Sequence, residues 1–337
     1  MIVVMVQTAT KAQISMVESR MLSLGMQVQH SFSGEQHLLI GSDGSPTLGQ
    51  SLEAMPGVER VLWVRQPYKL VSRPVHPEGT VVWAAGRPIG GKALTIIAGP
   101  CSVENEAQIR EAARIVQGAG GNFLRAGAYK PRSSPYSWQG LGEQGLALLQ
   151  AVKQDTGLGI VTEVLDPRQI EKVSAVADIL QVGARNMHNY ELLKALGQVE
   201  LPVLLKRGLA ATVEEWLLAA EYLITAGNPN VILCERGIRT FETYTRNTLD
   251  LAAVAAVKNL SHLPVLVDPS HGTGKWQLIT PLSRAAIAVG ADGLLIEMHP
   301  QPEQALSDGE QSLAPDKYLA LLEELKHIAA AVGRELP

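Results

Sequence analysis

The 337-residue chain has only two cysteines, Cys101 and Cys234. So few thiols exclude a disulfide-stapled scaffold and fit a reducing, cytoplasmic setting. Aromatic residues make up just 4% of the sequence, with three Phe among them. The core must therefore be built from Val, Ile, Leu and Ala, which suits α/β layers better than an aromatic-rich β-sandwich. No apolar run approaches the roughly 18–20 residues of a membrane span. The opening MIVVMVQTATK has neither a basic segment ahead of its apolar run nor a small-residue cleavage site, unlike a secretory signal. Charge is sparse and nearly balanced: 29 Lys+Arg against 33 Asp+Glu leave a net −4. That excludes a broad positive field for nucleic acid. What the chain does have is 46% hydrophobic residues, enough for a sizeable core. At roughly 150 residues per domain, its length predicts two domains, or one large barrel with a small addition.

Residues 1–66 read as a compact unit. A short strand at 2–6 precedes a helix at 12–24, where Ile14, Val17, Met21 and Leu24 recur at helical spacing and Gly25 stands at the C-terminal cap. Strands at 27–32 and 36–40 flank a Ser33-Gly34-Glu35 turn, a helix at 48–55 stops at Pro56-Gly57, and a strand follows at 58–64. This βαββαβ order predicts a ferredoxin-like domain. Residues 67–80 carry Pro67, Pro74 and Pro77 without periodicity and read as a linker. Residues 81–85 and 93–97 bracket the sequence GRPIGG, a hairpin signal leading into the next domain. From 81 to 337 the pattern predicts an α/β fold, a (β/α)8 TIM barrel. Eight strand candidates, at 94–98, 123–126, 160–164, 179–182, 203–206, 231–234, 265–267 and 294–297, alternate with helices. Asp166-Pro167 and the Thr212/Glu215 capping box mark helix starts. The stretch from Ala93 onward is close to the ~250 residues of such a barrel. A doubly wound sheet would show a Gly-rich phosphate turn after its first strand, and Gly99-Pro100-Cys101 is not one.

Barrel chemistry gathers at the C-terminal ends of the strands. Those ends carry the cations Arg125, Lys130, Arg132, Arg185, Lys206, Arg207 and Arg236. Glu163, Glu235 and Asp268 cannot neutralise them all, so the set predicts a site for more than one phosphate or carboxylate. A second constellation is Cys101, His271, Glu297 and Asp308, from strands one, seven and eight. Strands eight and one are neighbours in a closed barrel, and a thiolate, an imidazole and two carboxylates suit a divalent metal: Mn, Fe, Co or Zn. Spacing alone leaves these residues more readily read as a buried thiol, a core histidine and solvated acids, since no HxxxH or CxxC is present. Cys234 reads as core. His299 stays open between a metal-supporting and a phosphate-binding position.

Several segments together resemble one enzyme family. They are IAGPCS (97–102), RAGAYKPRSS (125–134), GARN (183–186), KRG (206–208), CERG (234–237), DPSHGTG (268–274) and EMHP (297–300). They are similar to the 3-deoxy-D-arabino-heptulosonate 7-phosphate (DAHP) synthases. The topology of residues 1–66 resembles the regulatory extension carried by some members of the type Iβ branch. The resemblance implies a transferase that condenses phosphoenolpyruvate with erythrose 4-phosphate and water, the first step of the shikimate pathway to aromatic amino acids. It implies that Cys101, His271, Glu297 and Asp308 ligate a metal and that Arg125, Lys130, Arg185, Lys206 and Arg236 contact phosphoenolpyruvate. Arg132 and Ser133 fall where the aldose phosphate is held. In the reaction so implied, the metal polarises the aldehyde while C3 of the enol phosphate attacks it, water adds at C2, and phosphate leaves. Lys130 is the candidate for protonating the alkoxide or steering that water, with Glu163 and a water at His271 as alternative proton carriers.

The nearest rival is the sister enzyme that uses arabinose 5-phosphate, 3-deoxy-manno-octulosonate 8-phosphate synthase. It resembles Lys-Ala-Asn-Arg-Ser-Ser where this chain reads Lys130-Pro131-Arg132-Ser133-Ser134. A Schiff-base aldolase built on Lys206 is a second rival. The Iβ resemblance also implies a homo-oligomer, a tetramer by preference. An aromatic amino acid would bind between two small domains of different subunits near Gln29-His30-Ser31-Phe32-Ser33, favouring an arrangement closed over the barrel.

Overall fold

The computed structural model describes residues 1–33, 36–42, 46–132 and 134–336. Contacts divide the chain into two compact units, Met1–Pro77 and Glu78–Pro337. In the first, strands Ile2–Met5, Val28–Ser33, Gln36–Gly41 and Val58–Leu62 alternate with helices Lys11–Ser23 and Pro46–Glu53. The chain-order first strand lies between the third and fourth, antiparallel to both: Ile2 stands opposite Ile40 on one side and Leu62 on the other. With the second strand outermost beside the third, this is the ferredoxin-like order that the βαββαβ pattern predicts. The first helix starts at a Thr10/Gln13 capping box and stops at Leu24, with Gly25 beyond it at φ +82°. Met1, Val3, Met5, Val17, Met21, Met26, Leu39 and Leu52 form the core of this unit. The expected turn at Gly34-Glu35 lies outside the described residues. The segment read as a linker is more than a bare tether, for Tyr68, Leu70 and Val71 are buried and Arg73–Val75 makes a 3₁₀ turn.

In the second unit eight parallel strands close into a barrel: Thr95–Gly99, Phe123–Arg125, Gly159–Glu163, Ile179–Val182, Val203–Lys206, Val231–Glu235, Val265–Val267 and Gly293–Glu297. Each expected strand appears within about one residue of its sequence position. Closure is made where the eighth strand pairs with the first, Ile296 opposite Ala98 and Glu297 opposite Gly99. Helices of unequal length follow the strands, the last being Pro315–Ala331. Thr212 caps its helix with Glu215, and Asp166 accepts from the Arg168 amide at the start of a 3₁₀ turn.

The entry hairpin differs from the sequence reading. Val82–Ala84 pairs with Arg87–Ile89, so the strand residues include Arg-Pro-Ile, which the sequence assigned to the turn. The two-residue turn is Ala85-Gly86, both at positive φ, the type I′ geometry that two-residue hairpins favour. Val82, Ala84 and Ile89 cluster with Ile97, Phe123, Val161, Leu204 and Leu295 from the barrel strands, so the hairpin seals part of the barrel's apolar interior. Cys234 belongs to the same core. Gly99 is required at the mouth: at φ +146°, a Cβ there would overlap the Arg125 carbonyl of the neighbouring strand. Among the described residues no helix is long and apolar enough to cross a membrane.

Candidate active site

Cys101, His271, Glu297 and Asp308 offer ligand atoms that all lie within 4.8 Å of one another. Each is delivered by a different local device. Cys101 stands two residues beyond Gly99, which ends the first strand. Glu297 is the last residue of the eighth strand, and its amide donates to Ser270 Oγ at 2.9 Å. His271 rides a short helix, Pro269–Thr273, whose N-cap residue Asp268 accepts from the His271 amide through its side chain at 2.9 Å. Asp308 sits at φ +56°, ψ +32°, a left-handed conformation that costs a non-glycine residue of order 1 kcal/mol and that Asp tolerates better than most. The Asp308 peptide is held by Ser312, whose hydroxyl donates to its carbonyl at 3.1 Å.

Around these donors stands a second layer of contacts. Asp268 Oδ2 lies 2.6 Å from His271 Nδ1 and 2.5 Å from Lys206 Nζ. That bond occupies one ring nitrogen and leaves His271 Nε2 facing Glu297 Oε1 at 3.2 Å. This carboxylate–histidine arrangement is the one that orients metal-binding imidazoles. Arg125 Nη2 donates to Glu297 Oε1 at 2.8 Å, and Gln311 Nε2 donates to Oε2. Lys130 Nζ lies 2.8 Å from Cys101 Sγ. The Cys101 thiol lies 3.0 Å from Asp308 Oδ2, and Arg246 Nη1 donates to Asp308 Oδ1 at 3.2 Å.

Burial and neighbours set the charge states. Burial, reinforced by Glu297, pushes the Cys101 thiol up to about 11 against the pull of Lys130. Burial lowers His271 to about 4, although Asp268 and Glu297 oppose it, so its imidazole is neutral at pH 7. Burial opposes ionisation of Glu297, yet His271 and Arg125 outweigh it and hold that carboxyl below its usual range. Asp308 is held low in the same way, chiefly by His271 and the Cys101 contact. A neutral imidazole oriented through its other nitrogen, two ionised carboxylates and a thiol together fit a divalent transition metal, which displaces the proton of a coordinating thiol. The fit rests on this donor set and on the Asp268 contact.

Beside the donors opens a cavity of about 340 Å³. Arg125, Lys130, Arg132, Arg185, Lys206 and Arg236 all line it, as the strand-end reading expects, together with Glu163, Gln181, Ser134 and Ser137. Arg236 is buried; among the described residues its guanidinium makes one hydrogen bond, to the Gly237 carbonyl at 3.5 Å, and burial lowers its pKa. Glu163 accepts from Gln181 at 3.1 Å, and a side chain at Gly183 would overlap its carboxylate. Ser133 lies outside the described residues.

Two expectations are corrected. Arg207 does not line the cavity; its guanidinium is spent on Glu235 and Asp250, both at 2.9 Å, because the chain after the fifth strand turns it back between neighbouring strand ends. His299 joins neither the metal donors nor the cation cavity. It is buried beside Glu104, with Nε2 3.5 Å from that carboxylate, because the chain beyond Glu297 has already turned away from the mouth. Lys206, the Schiff-base candidate, is engaged by Asp268.

Sequence reasoning missed Arg246, a seventh cationic side chain in the cavity. It lies in a long loop, away from any strand end. Its backbone amide bonds to the Thr273 carbonyl at 2.8 Å and Asn247 N to Gly272 O at 3.1 Å, so the loop is folded onto the helix carrying His271. No local sequence signal encodes that pairing. A larger cavity, about 580 Å³, lies elsewhere, lined by Ile96, the 118–122 segment and the last helix; it has no comparable cation cluster.

Two family models match the chain: "DAHP synthetase I family" over residues 82–333 and "DAHP synthase ferredoxin-like domain" over residues 1–66. Over 335 residues the chain is 49% identical to a phospho-2-dehydro-3-deoxyheptonate aldolase of Thermotoga maritima, covering 99% of both chains. It is 36% identical over 261 residues to a 2-dehydro-3-deoxyphosphooctonate aldolase of Syntrophotalea carbinolica, covering 72% of this chain and 93% of that one. A crystal structure of the Thermotoga maritima DAHP synthase superimposes with a TM-score of 0.80 at 47% identity, over 100% of this chain and 98% of that one. A truncated form of the DAHP synthase from that organism superimposes with a TM-score of 0.75 at 49% identity, over 80% of this chain and 99% of that one.

The Asp268 contact should show itself in metal affinity. Asp268→Asn is expected to weaken Co²⁺ binding about ten- to a hundred-fold. Titrating the chelated protein and following the thiolate-to-cobalt absorption measures this. Unchanged affinity would deny Asp268 an orienting role.

Proposed function

The chain belongs to the DAHP synthetase I family, and we propose that the cation-lined mouth of its barrel is where this enzyme joins phosphoenolpyruvate to erythrose 4-phosphate. The reaction forms the bond between C3 of the enol phosphate and the aldehyde carbon, adds water at C2, and releases inorganic phosphate by C–O cleavage, giving DAHP. One observation carries the reading: seven cationic side chains and only two carboxylates line a cavity beside a four-donor cluster. Phosphoenolpyruvate brings a phosphate and a carboxylate, and the sugar brings another phosphate, which accounts for the excess.

Arg125, Lys130, Arg185, Lys206 and Arg236 hold phosphoenolpyruvate. Among the described residues neither Arg185 nor Arg236 has a carboxylate partner, so both cavity side chains are available to an anion. Arg125 and Lys206 are already paired with Glu297 and Asp268 and act as fixed, oriented donors. Arg132 and Ser133 hold the phosphate of the aldose. Cys101, His271, Glu297 and Asp308 hold a divalent metal, one of Mn, Fe, Co or Zn, which when bound supplies a Lewis acid for the aldehyde oxygen. Lys130, with Nζ against Cys101 Sγ and its side chain on the cavity wall, holds a proton where the new alkoxide forms and donates it there. The Lys130-Pro131-Arg132 sequence and the higher identity to the heptonate aldolase favour the four-carbon acceptor over arabinose 5-phosphate.

The same reading extends to the whole chain. Residues 1–66, followed by the segment 67–80, form a regulatory domain that takes an aromatic amino acid, and 81–337 form the catalytic barrel. Support comes from the match of 1–66 to the ferredoxin-like domain of these synthases and from the confinement of the cavity cations and donor cluster to the barrel. The chain works in the cytoplasm, where a free Cys101 stays reduced, as a homo-oligomer with a tetramer favoured.

Three measurements test these assignments. Chelation should abolish turnover and divalent metal restore it, while Cys101→Ala and His271→Ala should be inactive yet folded; full activity in excess EDTA after metal-free preparation would refute the metal. Arg132→Ala should raise KM for erythrose 4-phosphate about ten- to a hundred-fold, the loss of one charge-assisted contact, with little change for phosphoenolpyruvate. Equal effects on both substrates would reassign Arg132. Truncation before Val81 should leave an active enzyme that no longer responds to Tyr or Phe; a truncated enzyme still inhibited would move the sensor into the barrel.

A further inference from the structure

Ser307 precedes the metal-donor candidate Asp308 and is almost wholly buried, at 5% exposure. Its hydroxyl stands among three partners. Arg132 Nη2 donates to it at 2.7 Å, while Cys101 Sγ and Asp308 Oδ2 each lie 3.3 Å away as acceptors. A serine hydroxyl has one proton and two lone pairs. The Arg132 bond takes a lone pair, and the single proton has two possible acceptors, both of them metal-donor candidates. A hydroxyl that accepts from a cation becomes a better donor in its turn.

Among the described residues the Arg132 side chain makes one other hydrogen bond, from Nε to the Trp138 carbonyl at 3.2 Å. The rest of its guanidinium is left to the cavity it lines. The loop itself is anchored from behind, since the Leu306 amide donates to Glu104 Oε1 at 2.9 Å. Ser307 is thus held at both ends of a short path from the cavity arginine to two of the four donors.

We propose that Ser307 is a positioning residue that links the Arg132 anion site to Cys101 and Asp308, so that a phosphate ester at Arg132 and a divalent metal at the donor cluster tighten each other's binding. The inference rests on the reading of Arg132 as a phosphate-binding side chain. An anion that fixes the guanidinium fixes the Ser307 hydroxyl, which orients the thiol and carboxylate; linkage makes the effect reciprocal.

The experiment uses the full chain, stripped with chelator and titrated with Co²⁺, with and without saturating glycerol 3-phosphate, a phosphate ester lacking an aldehyde. Thiolate-to-cobalt absorption reports affinity, and no turnover is needed. In the unsubstituted chain Co²⁺ should bind about five-fold or more tightly with the ester present. Ser307→Ala should lower Co²⁺ affinity about ten-fold and bring the coupling factor close to one; Ser307→Gly is a second hydroxyl-free variant that should do the same. Ser307→Thr keeps the hydroxyl and should keep the coupling. Absence of coupling in the unsubstituted chain, or full coupling in a hydroxyl-free variant, overturns the inference. Arg132→Ala separates the two layers. Unchanged ester affinity there defeats the phosphate assignment itself, whereas lost ester affinity together with intact coupling in Ser307→Ala defeats only the link.

Discussion

The pairing of the eighth barrel strand with the first is the constraint on which the rest depends. It sets Glu297 opposite Gly99, and so brings the end of the eighth strand beside Cys101. Cys101 and Asp308 are 207 residues apart in sequence, yet 3.0 Å apart in space. Without closure, the donors of strands one and eight would sit on opposite edges of an open sheet. Gly99 is part of the same constraint, because the second strand passes too close for a side chain there.

The mouth so formed concentrates charge where folding would otherwise avoid it. Arg125 with Glu297, and Lys206 with Asp268, are ion pairs almost free of solvent. Such pairs are poor sources of stability, since desolvating each ion costs several kcal/mol that their attraction repays only in good geometry. Their value here is directional. Each cation is fixed by a carboxylate that belongs to or supports the candidate metal cluster: Glu297 is a member of it, and Asp268 holds His271 Nδ1. Among the described residues Arg185 and Arg236 have no such partner, so the cavity keeps an uncompensated positive field for anionic substrates. Arg207 shows the contrasting solution, a cation neutralised by Glu235 and Asp250 and withdrawn from the mouth.

The same logic separates the two units. The small domain has an apolar core of Met, Val and Leu and a four-stranded antiparallel sheet. Its titratable cluster of His30 with His37 and Glu18 sits at partly exposed positions. The barrel instead buries the ionisable groups of its mouth, Arg125, Lys130, Lys206, Arg236, Asp268 and Glu297 among them.

Much of this was legible in the chain. Alternating strand and helix periods, punctuated by Gly and capping residues, depend only on local φ/ψ preference and side-chain burial, so the eight barrel strands were readable to within about one residue and the elements of the βαββαβ unit to within about two. Strand-end positions followed, because barrel topology aims those residues at one mouth. The entry hairpin was misplaced because a two-residue turn at Ala85-Gly86 and a Gly-rich stretch just after it look alike in one dimension. What only tertiary structure decided is which charges meet. Arg207 is neutralised while Arg236 is not; Arg246 reaches the cavity through a loop folded onto another helix; His299 turns away; and Ser307 stands between Arg132 and Cys101. Local sequence encodes backbone conformation, but pairing between distant side chains depends on closure and loop packing, which bring together residues that no spacing in the chain relates.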